Sequence, residues 1–468
     1  MKKFILLSIL LLIPRLAFGA LAATTVWEIR PANGSDLNGG CVNSATVVTD
    51  YSQQDAAQLS LTDLAVADGT TAVVTSAAAG FTSAMVGNCL HIESGTNWEP
   101  SFYAIVTFTS SSQVTLDRSP ASAAATLGVG KVGGAAKTFE SATTIDITDL
   151  LAGGHIVWVK NETGWNENVL LGSDNSNGAP VTIEGYNTSR GDNPTGSNRP
   201  TNDRAGGAGD AFTLDGTSGN HILKHLIGKS AADKGFETSD TNSICINCRA
   251  TANTGIGFGS RWVHLIGVES DTNSGDGVDY ATDQGDVHAS AIHDNTLIGI
   301  DMGAGGESAT FNLIYDNGDD GIEEANGGGK THISNNTIDG NTGAATDGFE
   351  TTTPSAGKVV TNNIFSNNGN YGVNATDGDS AYSDYNDFFG NVTAARINFP
   401  TGDNDSTADP TFTDAANDDF SIGTNLKALG IPNAGNSAWP LTDGYTDIGA
   451  AQRQEAASSS TDLLGVIQ

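Results

Sequence analysis

Between Gly235 and Val373 the chain repeats one short pattern of polar and apolar positions. A glycine is followed by an apolar residue at Gly235-Phe236, Gly257-Phe258, Gly277-Val278, Gly299-Ile300, Gly321-Ile322, Gly348-Phe349 and Gly372-Val373. The glycines stand 22, 20, 22, 22, 27 and 24 residues apart. Asparagines precede most of the pairs, at Asn253, Asn273, Asn295, Asn317, Asn341 and Asn370. Each unit holds two or three short runs of β-branched and aromatic residues between Asn, Gly and Asp, with no helical period. A repeat near 22 residues of this kind predicts an all-β parallel β-helix, each coil stacking on the last at about 4.8 Å.

The pattern assigns faces. The residue after each glycine points inward, giving the stack Phe236, Phe258, Val278, Ile300, Ile322, Phe349 and Val373. A second inward stack is expected at Ile292, Ile314, Ile338 and Phe365. Asn312, Asn336, Asn363 and Asn386 are expected to bond to one another along the coil axis. The next residue along a strand faces outward, which gathers Glu237, Gly259, Asp279, Asp301, Glu323, Glu350 and Asn374 into one acidic column.

Ahead of the repeat, residues 1–22 read as a secretory signal: Lys2 and Lys3, an apolar Phe4–Ile13, then small residues. The apolar run is too short to span a membrane, so the expected location is secreted or cell-surface, with no membrane insertion after cleavage. Residues 23–40 form an opening strand and cap, and 41–135 an inserted small β module. The β-helix occupies 136–399, a closing segment 400–453 and a mobile tail 454–468. Trp158 reads as core.

A net charge of −33 repels nucleic acid and anionic membranes. The 38% hydrophobic content is low, but charged residues are also only 16%, so the chain is turn-rich and folded, not disordered. Export permits disulfides, and Cys41 with Cys89 is the expected bridge. Cys245 and Cys248 lie three apart in an alternating run, facing opposite ways about 10 Å apart if the strand is straight, so no bridge is expected between them.

The acidic column admits three readings: a solvated face, a calcium site built from Asp276, Asp279, Asp301 and Glu323 with Glu324 nearby, or a catalytic carboxylate set of Asp279, Asp301 and Glu323. Trp262, Tyr280 and Tyr315 are the candidate sugar-stacking aromatics. His264, His288, His293 and His332 are not expected to share a column.

Three stretches carry a resemblance. Val26–Asp36 is similar to a first strand and "NGSD" turn. Lys137–Ala142, Gly154–Val159, Asn166–Val169 and Ala179–Tyr186 resemble a cap helix and first coil. Ala408–Phe412 with Asp447–Ala450 resembles a closing segment. Together they resemble secreted right-handed β-helix proteins of the pectate-lyase-like superfamily. The resemblance implies a protein that binds extracellular polysaccharide or cell-surface glycan or acts in surface interactions, stabilised by Ca2+. A polysaccharide lyase or glycoside hydrolase is the alternative. The rungs offer no basic residue matching the lyases' motif. The 41–135 module resembles one on phage-borne surface proteins, implying a tailspike-like appendage as a third reading, against which the export signal argues.

Overall fold

The computed structural model describes residues 21–450 except 141–144, 173–177, 216–218, 281–284, 304–306, 325–329, 344, 353–356, 376–380, 428 and 432–446. The signal, the tail and part of the expected cap helix lie outside the described residues. Within 137–150 the described residues hold one short 3-10 turn, Thr148–Leu150.

The main body is a parallel β-solenoid of about nine turns. Each turn gives one strand to each of three parallel sheets. The first sheet carries the glycine-apolar pairs: Phe236 registers with Phe258, Phe258 with Val278, Val278 with Ile300, Ile300 with Ile322, Ile322 with Phe349 and Phe349 with Val373. All seven are fully buried. Phe212 extends the stack, and its ring lies face to face with Phe236, which lies likewise on Phe258, at 4.9 Å for each pair. The third sheet has nine strands and holds the second stack, in which Ile292, Ile314, Ile338 and Phe365 register in turn.

The recurring glycines are explained by crowding. None of the seven glycines that precede the inward residues has positive φ. A Cβ on Gly277 would stand 2.7 Å from the carbonyl oxygen of Gly299, and one on Gly299 2.5 Å from that of Gly321. The first-sheet corner is too tight for any side chain at that point in every turn.

The two corners flanking the third sheet use left-handed backbone instead. At the first, Asn247, Ala289, Phe311, Asn335, Asn362 and Tyr385 have φ between 51° and 61°. At the second, Ala252, Thr272, Asp294, Asp316 and Asn367 have φ between 52° and 56°. This region is unfavourable for residues with a Cβ. Buried amide ladders lie one residue further on and secure it. In one, Asn312 bonds to Asn336, Asn336 to Asn363 and Asn363 to Asn386, each at 3.0 Å. The other runs Asn253, Asn273, Asn295, Asn317, Asn341, Asn368 and Asn391. Asn368, not Asn370, occupies the ladder, because the left-handed residue of that turn is Asn367.

The N-terminal module is a closed six-stranded antiparallel barrel within 59–132. Cys41, paired against the opening strand, is disulfide-bonded to Cys89 on the barrel, with Cα atoms 5.3 Å apart. Fully buried Glu28 ties the pieces together: Tyr186 and the guanidinium groups of Arg30 and Arg190 bond to it, and Arg190 also reaches Asp50 at 2.8 Å. Trp158 faces outward and is half-buried, in register with Glu28 and Glu184, because Val157 and Val159 take the inward positions. The closing segment lies over the third sheet, where Ile422, Leu426 and Ile448 cover Ile364. Among the described residues no helix is long and apolar enough to cross a membrane.

Candidate functional site

The outward column forms as the alternation dictates. Glu237 registers with Gly259, Gly259 with Asp279, Asp279 with Asp301, Asp301 with Glu323, Glu323 with Glu350 and Glu350 with Asn374. At its N-terminal end the charge is offset: Lys234 Nζ lies 2.7 Å from Glu237, and Ser260 donates to the same carboxylate.

A second acidic row runs beside it, from residues two before each inward position. Asp210, Asp276, Asp320 and Asp347 stand there. Each accepts from the amide at the equivalent place on the next turn: Lys234, Ile298, Asp347 and Tyr371 donate to them in that order. The sequence carries this row as Asp-Gly-apolar-acid at Asp276–Asp279, Asp320–Glu323 and Asp347–Glu350, a pattern that shows once the turns are aligned.

Two adjacent rows of half-buried and buried carboxylates repel each other, and proton affinities rise accordingly. Burial pushes Asp301 up to about 7, with Asp279, Glu323, Asp276 and Glu307 adding to it. Burial likewise raises Asp276 to about 6, helped by Asp279 and Asp319. Glu323 is raised by burial and by Glu350, Asp319 and Asp276. Asp320 is raised by burial and by Glu350 and Asp347.

Asp320, Asp347 and Glu350 can each place a carboxylate oxygen within 4.8 Å of the others. Among the described residues, Asp276, Asp279, Asp301 and Glu323 contribute no such group of three, although they share the face. The gathered set is therefore displaced toward the C-terminal turns, because Asp320 and Asp347 belong to the second row. Asn374 Nδ2 bridges Asp347 and Glu350 at 2.7 and 3.0 Å. A second group, Glu269, Asp271 and His293, lies on the third sheet. Arg249 makes two bonds to Asp271, at 2.7 and 2.8 Å, and Arg199 holds Glu269 at 3.0 Å, so its charge is already offset.

The three expected stacking aromatics are corrected by their burial. Trp262 and Tyr280 are fully buried. Trp262 packs edge-on to Phe258, and Tyr280 follows outward Asp279 and so turns inward. Tyr315 lies between His293 and Phe420, each ring 4.7 Å away, under the closing segment. None offers a face to a sugar. His264 and His332 do share a column, through Asp286 and Ser308. His264 Nδ1 lies 2.6 Å from Asp286.

Residues 258–407 match a family model described as a right handed beta helix region. The solenoid is a right-handed parallel β-helix. Solved structures similar to this β-helix are pectate-lyase-like in fold. They include pectate lyase Pel9A, 14% identical over 66% of this chain and 90% of that one, with a TM-score of 0.48. The A-module of the mannuronan C-5 epimerase AlgE4 of Azotobacter vinelandii is 16% identical over 55% and 78%, with a TM-score of 0.35. The catalytic unit of the GH87 alpha-1,3-glucanase of Streptomyces thermodiastaticus strain HF3-3 is 14% identical over 75% and 86%, with a TM-score of 0.30. Likeness at this level is one of backbone course and says nothing of substrate. No curated protein matches the chain by sequence.

Proposed function

We propose that this is an exported protein whose double acidic row takes a divalent cation, Ca2+, and through it an extracellular polysaccharide. The observation that carries the reading is the convergence of buried Asp320 and Asp347 with half-buried Glu350 within 4.8 Å. Hard, all-oxygen donors of this kind suit Ca2+, which accepts irregular geometry and keeps water or a ligand oxygen in its remaining positions. A glycan hydroxyl or carboxylate would complete the shell, and the cation would offset repulsion between the protein and an acidic glycan. Calorimetry with CaCl2, followed by a glycan array with and without Ca2+, tests this. Calcium-dependent glycan retention is expected. Absence of Ca2+ binding at millimolar concentration would reject it.

A second reading rests on Asp301. A carboxyl held near 7 between carboxylates on adjoining turns is suited to donate a proton to a glycosidic oxygen, while an ionised neighbour acts on the sugar. Reducing-end release from a polysaccharide panel, lost in Asp301→Asn, distinguishes hydrolysis from binding alone.

A further inference from the structure

Cys245 and Cys248 were expected to face opposite ways. Instead both side chains are fully buried in the same interior. The reason lies between them. Asn247 has φ +53°, so the chain turns a corner there and both thiols point inward. Cys245 sits in the inward column between Leu223 and Leu265. Cys248 follows at the corner, its thiol directed at the carbonyl of Ile246 at 3.6 Å. Burial raises the Cys245 thiol well above its ordinary value, and the neighbouring Cys248 thiol adds to it. Arg199, itself buried, donates to the carbonyl of Asn247 at 3.0 Å and places a guanidinium beside the corner.

We propose that Cys245 and Cys248 are a modification site, closing into a disulfide across this corner when the exported chain meets a disulfide-bearing thiol oxidoreductase. One thiolate attacks a sulfur of the oxidoreductase disulfide, and the enzyme's other sulfur leaves as a thiolate. The second cysteine thiolate then displaces the mixed disulfide. One sulfur–sulfur bond forms in the chain and one breaks in the oxidant, which keeps the two electrons and takes up the two protons. The reaction belongs to the folding chain, because the finished coil leaves both sulfurs without solvent access. Once closed, the bridge resists mild reductant while the coil is intact.

The test uses full-length protein exported by its expression host, denatured and alkylated with iodoacetamide without reduction, then digested with trypsin. The peptide Gly235–Arg249 holds both cysteines and no others. It is expected unalkylated and lighter by two hydrogens than its reduced form. The same result is expected in Cys41→Ser/Cys89→Ser protein, which removes any exchanged pairing. Carbamidomethylation at both Cys245 and Cys248 in the exported wild-type chain would overturn the proposal, as would their recovery in bridges to Cys41 or Cys89.

Discussion

Asp301 lies in direct register with Glu323 on the next turn of the parallel sheet, so two like charges occupy neighbouring positions on one face. At about 5 Å such a pair repels by roughly 3 kcal/mol at an effective dielectric of 20, and less where water screens it. The column persists because the inward residues before each acid, Ile300 and Ile322, are fully buried and fix the strand.

Asp301→Asn removes a carboxylate whose folded proton affinity exceeds its unfolded one. A raised carboxyl lowers stability as pH rises from its ordinary value near 4 through about 7. The variant should match wild type at pH 4 and exceed it at pH 8, by on the order of 1–2 kcal/mol after allowance for solvent screening. Denaturant midpoints across that range would show the crossover. A variant less stable at pH 8 would contradict the repulsion.

Ca2+ should raise the melting temperature at pH 7.5 and do so less at pH 5, where protons compete for the raised Asp320 and Asp347. At one hundred times the dissociation constant the gain is about 2.7 kcal/mol. Glu350→Gln should abolish most of the Ca2+-dependent shift. Mg2+, which demands octahedral geometry, should substitute poorly. Scanning calorimetry with each ion reads this directly.

Asn317→Ala should be among the most damaging single changes. Asn317 accepts from both the amide and the side chain of Asn295, and donates to Asn341 and to the carbonyl of Ile292. All lie in the buried interior, and each group left unpaired costs about 1–3 kcal/mol. A loss of several kcal/mol is expected in urea melts, whereas Asn370→Ala, off the ladder, should cost far less.

Gly277→Ala should destabilise despite ordinary backbone angles. Its added methyl would meet the carbonyl oxygen of Gly299 at 2.7 Å and the Nδ2 of Asn295 at 2.8 Å, so adjacent turns must separate. A loss of about 1–3 kcal/mol, typical of overpacking, is expected in thermal melts. Gly164→Ala, where nothing stands within 4 Å but φ is +88°, is the companion that measures backbone strain alone.

The repeat was legible because alternation in a strand is a local rule. Knowing that Phe258 points in is enough to know that Gly259 points out, and a 22-residue step fixes which acids become neighbours. Asp279, Asp301 and Glu323 therefore fall in one column by spacing alone. The sequence also showed that Asn312, Asn336, Asn363 and Asn386 could stack, but not that Asn253, Asn273, Asn295, Asn317 and Asn341 form a second ladder continued by Asn368 and not Asn370. Both amides lie near the same corner, and only the left-handed Asn367 decides between them.

The sequence by itself determined the period, the inward stacks and the outward acidic column, because those follow from residue alternation repeated at constant spacing. Tertiary structure decided what happens where the chain turns. Corners break the alternation, so the second row of Asp276, Asp320 and Asp347 came alongside the first, Trp262 went into the core after left-handed Ser260, and Cys248 turned inward beside Cys245. It also decided what lies over the coil: Phe420 covers Tyr315 from more than a hundred residues away, a contact that no periodic rule encodes.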